Sequence, residues 1–345
     1  MRVAIIGDLF LKNELIEKIL IRYLGDGEDI KLTGLKLNWP RQPLISDGEV
    51  KEYIGNEKEV LTVARDAEIL ITHLAPVTRR VIWGCPKLKI IACCRGGVVN
   101  VNIKAATQRK IPVLNTPGRN KQAAAEFTLA MILCLLKPII PAHQALKKGI
   151  WRGDFYEYDK CAEELAGKKV GLIGFGLIGK RVCQLLSPFN VEVLVFDPYV
   201  EKKEVELFGA RLVELEKLLR ESHIISLHAR LTPETYKLIG EREISMMRPG
   251  AYLINTARGG LVDYEALYKA LKEGKLKGAA LDTFDPEPPS TKCPLLSLSN
   301  VVLTPHLAGA SRETASHGIE MLARGISKYL QGEIPENCVN PEVFQ

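Results

Sequence analysis

The chain has 345 residues, more than a single hydrophobic core usually organises, so two domains are expected. Hydrophobic residues make up 46 % and charged residues 26 %, the balance of a packed globular protein and not of a disordered one. The net charge of +6 is mild and the basic pairs Arg79-Arg80, Lys147-Lys148, Lys168-Lys169 and Lys202-Lys203 are scattered, which argues against nucleic acid as a partner.

In chain order, Met1 to Gly7 enters a strand-like run at once, with no basic region, long apolar stretch and cleavage site, so a cytoplasmic location is expected. Short Val- and Ile-rich runs then alternate with amphipathic stretches, the α/β pattern of parallel sheets wrapped by helices. Strands are expected near 3–6, 69–72, 89–92 and 112–114, with helices between them. At Ile5-Ile6-Gly7-Asp8 a single glycine stands without any fingerprint and reads as an ordinary strand end. A cluster of turn formers, Asn115-Thr116-Pro117-Gly118, precedes a long helix over 121–136 that Pro138 and Pro141 break, and this marks the first domain boundary. The longest apolar run, 127–136, falls well short of the ~20 residues of a membrane span.

A second alternating series follows at 169–174, 191–196, 223–227, 251–254, 279–281 and 301–303, six strands for one doubly wound domain. A last helix over 312–330 has nothing sheet-like behind it and is expected to pack back on the first domain. The fold class is therefore α/β with two doubly wound parallel sheets: a Rossmann-type cofactor domain, 117–309, inserted in a discontinuous flavodoxin-like substrate domain, 1–116 and 310–345. Eight cysteines show no C-x-x-C and no histidine at metal spacing, so they read as reduced, small hydrophobes and no metal site is expected.

Gly174-Phe175-Gly176-Leu177-Ile178-Gly179 matches G-x-G-x-x-G between an apolar strand and an apolar-periodic helix. The first glycine serves the tight turn, the second lets backbone approach a pyrophosphate, and the third lets helix pack on strand. The helix start, at Leu177 and Ile178, offers free N–H groups to the phosphates. Asp197 ends the next strand, where a carboxylate takes the ribose hydroxyls and repels the extra phosphate of NADP. NAD is the expected cofactor, although Lys202 and Lys203 lie nearby.

Three polar residues follow later apolar strands: Arg258 in Asn255-Thr256-Ala257-Arg258-Gly259-Gly260, Glu287 in Asp282-Thr283-Phe284-Asp285-Pro286-Glu287, and His306 in Leu303-Thr304-Pro305-His306. With these residues the sequence strongly resembles the D-isomer-specific 2-hydroxyacid dehydrogenases, the family of phosphoglycerate dehydrogenase and glyoxylate/hydroxypyruvate reductase. The resemblance spans nearly the whole chain. It implies an NAD-dependent oxidoreductase in which Arg258 binds the substrate carboxylate and carbonyl, Glu287 partners the histidine, and His306 is the acid/base. It also implies that Thr256, Ala257, Asp282, Ala308 and Gly309 line the cofactor. The chemistry agrees, because hydride addition to a ketone leaves an alkoxide that needs a proton, and histidine titrates in the right range to give one. A carboxylate on the other ring nitrogen fixes the tautomer, and arginine offers a planar fork to a carboxylate. The remaining histidines, 73, 143, 223, 228 and 317, are assigned mainly to packing or surface.

Cys94-Arg95-Gly96-Gly97-Val98-Val99-Asn100 resembles the substrate loop of the same family, whose backbone N–H groups face the substrate carboxylate, here from Gly96, Gly97 and Val98. The match is loose: glycine spacing differs, and Asn100 and Asn102 stand where the family has acids. Arg230 occupies a place where proline is common; its guanidinium either reaches the cofactor or caps the strand end. Glyoxylate or hydroxypyruvate is the expected substrate type. The alternatives are D-3-phosphoglycerate dehydrogenase and, in another class, an NAD-sensing corepressor-like binding protein. A homodimer built on the 121–136 helix, with Trp151 beyond, is the family default.

Overall fold

The computed structural model describes residues 1–25, 30–41 and 44–345, which divide into two compact units, Met1–Arg119 with Ser311–Gln345 and Asn120–Ala310. The first unit opens on β1 (Arg2–Gly7), apolar without alternation because both faces are covered, so that every residue after Arg2 is buried. In α1 (Asn13–Leu24), Ile16, Ile19 and Leu20 make a buried stripe at helical spacing. Then come β2 (Lys31–Lys36), a hairpin of β3 (Ile45–Asp47) and β4 (Val50–Tyr53), and α2 (Glu57–Ala64), whose first turn is capped by Asn56. β5 (Ile69–Thr72), α3 (Arg79–Gly84), β6 (Ile90–Cys93), α4 (Ile103–Gln108) and β7 (Val113–Leu114) complete the segment. The sheet runs β2-β1-β5-β6-β7, all parallel, so the direction of winding reverses between β1 and β5.

The second unit begins with α5 (Lys121–Leu136) and α6 (Ile139–Lys147), which meet at 69° across the break at Lys137 and Pro138. Among the described residues no single helix is long and apolar enough to cross a membrane. A regular alternation follows: β8 (Lys169–Ile173), α7 (Leu177–Leu186), β9 (Glu192–Phe196), α8 (Lys202–Glu206), β10 (Arg211–Leu212), α9 (Leu215–Glu221), β11 (Ile224–Leu227), α10 (Glu241–Met246), β12 (Ala251–Asn255), α11 (Tyr264–Lys272), β13 (Leu276–Leu281) and β14 (Val301–Leu303). The parallel order is β10-β9-β8-β11-β12-β13-β14. This sheet has seven strands, not the six read in the sequence, because β10 is a two-residue edge strand too short for any periodicity. Finally α12 (Arg312–Leu330) belongs to the first unit, where Ala315, Ile319, Leu322 and Ile326 share a core with Val3, Ile5, Ile16 and Ile19.

Candidate active site

At the carboxyl end of β8 the three glycines of the fingerprint meet different surroundings. Gly174 has φ +96°, and a Cβ there would lie 2.6 Å from the backbone of His228 and Ala229. A Cβ on Gly179 would stand 2.3 Å from the Gly174 carbonyl oxygen, so α7 rests directly on the turn. Around Gly176 there is nothing within 4 Å of that position: the backbone there is open to a ligand. Among the described residues no side chain caps α7, leaving the first N–H groups of Leu177 and its neighbours for an anion. Asp197 follows β9, its Oδ2 accepting from Phe175 N at 2.7 Å and its Oδ1 from Tyr199 N at 2.9 Å. Each oxygen keeps lone pairs beyond those bonds. An open glycine, an uncapped ten-residue helix and a carboxylate on one strand edge suit a dinucleotide's pyrophosphate and ribose. Nearby Lys202 is engaged at 3.7 Å with Glu206, and Arg230, past β11, is exposed.

Buried polar side chains hold the segments that carry Arg258 and His306 in place. Asn255 closes β12 and folds back: its Oδ1 accepts from Ala257 N at 3.0 Å, and its Nδ2 donates to the Arg258 carbonyl at 2.8 Å. Thr256 is hydrogen-bonded to Thr128 of α5 at 2.8 Å. Arg258 itself is exposed, its Nη1 donating to the Ala257 carbonyl at 2.7 Å. Gly259 must be glycine, since a Cβ would come within 2.1 Å of the Phe284 backbone. Asp282, after β13, is fully buried; it accepts from Thr304 Oγ1 and Leu307 N at 2.7 Å on Oδ1 and from Ala308 N at 2.8 Å on Oδ2. Its carbonyl also accepts from His306 N at 2.8 Å. Both oxygens of Asp282 thus organise the segment that carries His306, Ala308 and Gly309.

His306 has φ +55°, in the left-handed region that histidine enters more readily than most residues. Its Nδ1 lies 2.9 Å from Glu287 Oε2, while Glu287 Oε1 accepts from Phe284 N at 2.9 Å. Burial pushes the Glu287 carboxyl up, but the hydrogen bond and charge of His306, the Phe284 N–H and the charge of Arg258 bring it below its ordinary value. Glu287 is therefore a carboxylate at neutral pH and holds Nδ1–H, which leaves Nε2 as the nitrogen that can exchange a proton with a substrate.

In the first unit Gly96, Gly97 and Val98 follow β6, and nothing lies within 4 Å of a Cβ on Gly97. The loop is anchored on both sides. Arg95 donates to the carbonyl of Glu52 at 2.8 Å and pairs with its carboxylate, and Lys51 N donates to the Val99 carbonyl at 2.9 Å, so the β3–β4 hairpin grips the loop. Asn100 is fully buried and donates to the carbonyls of Ala75 and His73 at 2.9 and 3.3 Å, bonds that an aspartate carboxylate cannot make. Asn102 caps α4 by accepting from Ala105 N at 2.8 Å while donating to Glu49. Asp8, directly after the end of β1 at Gly7 as read above, is also fully buried and bonded to His73. Neither this pair nor the roles of Asn255 and Arg95 has a local sequence signal, because each joins segments far apart in the chain or turns on a backbone fold that no pattern marks.

A dinucleotide-binding α/β oxidoreductase with a carboxylate-held histidine is the class these features define. Residues 129–308 match the model for the D-isomer specific 2-hydroxyacid dehydrogenase, NAD binding domain. The glyoxylate reductase of Korarchaeum cryptofilum is 39 % identical over 291 residues, 84 % of this chain and 88 % of that protein. The D-3-phosphoglycerate dehydrogenase of Methanocaldococcus jannaschii is also 39 % identical, over 296 residues and 85 % of this chain, but the match spans only 56 % of that longer protein. Among solved structures, the TT0316 protein of Thermus thermophilus aligns with a TM-score of 0.80 at 31 % identity, covering 98 % of this chain and 100 % of that one. The chain belongs to the D-isomer-specific 2-hydroxyacid dehydrogenase family. It is an NAD-dependent oxidoreductase of 2-hydroxy acids.

Proposed function

We propose that the chain reduces a short, non-phosphorylated 2-keto acid of the glyoxylate or hydroxypyruvate type to the D-2-hydroxy acid with NADH. The observation that carries the reading is the 2.9 Å His306–Glu287 pair on the strand edge that also presents Arg258. His306 Nε2 gives its proton to the oxygen of the substrate carbonyl, Glu287 keeps the imidazole oriented, and Arg258 holds carboxylate and carbonyl with its planar fork. Bound NADH supplies the hydride. The N–H groups of Gly96, Gly97 and Val98 take the substrate carboxylate, which makes the first unit the substrate domain and the second the cofactor domain.

The glycines at 174, 176 and 179, with the α7 start at Leu177 and Ile178, receive the pyrophosphate, and Asp197 the ribose. Arg230, Thr256, Ala257, Ala308 and Gly309 complete the cofactor's surroundings, Asp282 acting from beneath through the loop it holds. Preference for an uncharged distal end rests on the loop after β5: His73 has both ring nitrogens engaged, Arg79 opens α3 and donates to Gln108 at 3.0 Å, and Arg80 pairs with Glu57 at 2.9 Å. The name of the Methanocaldococcus relative makes phosphohydroxypyruvate the second reading. An NADH-oxidation panel over glyoxylate, hydroxypyruvate, pyruvate and phosphohydroxypyruvate tests the choice, and failure to oxidise NADH with any of them removes the proposal.

The same reading puts the protein in the cytoplasm as a homodimer. All eight cysteines are free, which suits a reducing compartment. Exposed apolar side chains gather after α5 and not on it: Ile139, Leu146, Ile150, Trp151, Tyr156 and Tyr158. Light scattering on the intact protein and on Trp151→Glu tests this; a dimer that ignores the substitution places the contact elsewhere.

A further inference from the structure

The first unit carries a buried polar chain at the carboxyl ends of β1 and β5, the adjacent strands between which the winding reverses. That crevice is where open α/β sheets receive ligands. Asp8 Oδ1 accepts from the N–H groups of Phe10 and Leu11, both at 2.8 Å, and its Oδ2 meets His73 Nδ1 at 2.6 Å. His73 Nε2 lies 3.1 Å from Arg119 Nη2. Because arginine only donates, Nε2 must be the acceptor and His73 is the neutral tautomer with its proton on Nδ1. Burial also holds the imidazole neutral, bringing its pKa down to about 4 against the pull of Asp8.

Arg119 is thereby aimed but not neutralised by a direct partner. Its other neighbours are the Cys94 thiol, 3.9 Å from Nη1, and the Phe10 ring, 5.9 Å away. Among the described residues it makes no ion pair. Arginines with a purely structural duty in the same unit look different: Arg109 donates to the carbonyls of Cys85 and Pro86 at 2.8 and 3.1 Å, and Arg95 pairs with Glu52. Space is kept for the guanidinium by Gly318, where a Cβ would come within 2.9 Å of Arg119 Cδ. The segment leading to Arg119 is stitched to the substrate loop, since Thr116 N donates to the Arg95 carbonyl at 2.8 Å and Asn115 Nδ2 to the Gly96 carbonyl at 2.9 Å.

We propose that Arg119, oriented by the Asp8–His73 pair, is a further substrate-binding residue that receives the carboxylate of the 2-keto acid alongside Gly96, Gly97 and Val98. The proposal rests on the reading that this loop takes the carboxylate. A half-buried guanidinium with free N–H donors and only neutral direct partners is completed by an anion, and a carboxylate fits its fork in two bonds.

The test compares wild type, Arg119→Gln and Arg119→Lys by steady-state kinetics with NADH and either glyoxylate or hydroxypyruvate. Calorimetry adds the affinities for NADH and for oxamate, an unreactive analogue of a short 2-keto acid. Arg119→Gln is expected to raise KM for both substrates by ~10-fold or more, with a smaller change in kcat and unchanged NADH affinity. Arg119→Lys keeps the charge but loses the fork, so its KM falls between the two. If Arg119→Gln does not fold, a raised KM in Arg119→Lys carries the proposal and a wild-type KM ends it. Unchanged KM and oxamate affinity in Arg119→Gln overturn it. So does a rise confined to hydroxypyruvate, which would assign Arg119 to the distal end that glyoxylate lacks. Should wild type reduce neither acid, the proposed reaction fails, and oxamate still decides on Arg119: binding lost in Arg119→Gln supports the carboxylate site, whereas equal or absent binding refutes it.

Discussion

His306 combines a left-handed backbone with a side chain fixed from one nitrogen, and the two features have one source. The carbonyl of Asp282 accepts the His306 N–H, its carboxylate accepts the next two N–H groups, and the turn this enforces presents the imidazole to Glu287. Replacing the imidazole leaves that backbone frame intact. His306→Ala is therefore expected to lower turnover by ~10²-fold or more with NADH affinity nearly unchanged, as loss of a general acid does; turnover retained would remove His306 from the reaction. Arg258 is exposed and, among the described residues, its side chain is hydrogen-bonded only to its own neighbour's carbonyl, which leaves it able to meet a substrate. Arg258→Lys replaces a fork with a point charge and is expected to raise KM and lower kcat together. Wild-type kinetics in that variant would exclude it. At Asp197, loss of the carboxylate removes the repulsion of a 2′-phosphate, so Asp197→Ala is expected to narrow the preference for NADH over NADPH; an unmodified protein that prefers NADPH contradicts the assignment.

At the scale of elements, the strand–glycine–helix unit from β8 to α7 separates folding from binding within one motif. Gly174 and Gly179 are compressed against backbone, whereas the Gly176 position is open. Gly176→Ala is thus expected to leave the melting temperature near wild type and weaken NADH binding by ~10-fold or more, because the methyl occupies the line of approach of the pyrophosphate. Unchanged NADH affinity would place the cofactor elsewhere. This motif was fully legible in the sequence, since glycine spacing, apolar strand and acid after β9 are all local signals. The elements that escaped notice were β2, the β3–β4 hairpin, β10 and α6, which runs through Pro141 where the sequence suggested a break. β2 reads Lys-Leu-Thr-Gly-Leu-Lys and has no fully buried residue, so neither continuity nor alternation marks it as a strand. The hairpin matters more, for it clamps the Gly96–Val98 loop through Arg95 and Lys51, and nothing near residue 50 announces a partner near residue 95.

Across the whole molecule, hydrophobic patterning announced two parallel sheets, while the buried polar joints that give each sheet edge its chemistry stayed hidden. Asp8, His73 and Arg119 come from three separate stretches, and only the sheet order brings them together. The same joint has a consequence for stability. Unfolded, His73 takes up a proton near its ordinary pKa of ~6.5; folded, it does so only at about 4. Between those values the unfolded state binds more protons, so acidification through this window destabilises the fold, His73 contributing on the order of a few kcal/mol. Thermal melts at pH 7, 5.5 and 4.5 are expected to fall for the wild type and to fall less steeply for His73→Gln; parallel slopes would show that the imidazole is not held neutral.

Choice of substrate distinguishes the two readings of the proposed function. It is read most directly as kcat/KM for glyoxylate, hydroxypyruvate and phosphohydroxypyruvate, measured with NADH under identical conditions on the unmodified protein. Efficient reduction of the unphosphorylated acids and a lower value for phosphohydroxypyruvate are expected, because His73 is buried and bonded and Arg79 and Arg80 are engaged on α3. A clear preference for the phosphorylated acid would contradict this expectation and make the protein a phosphoglycerate dehydrogenase.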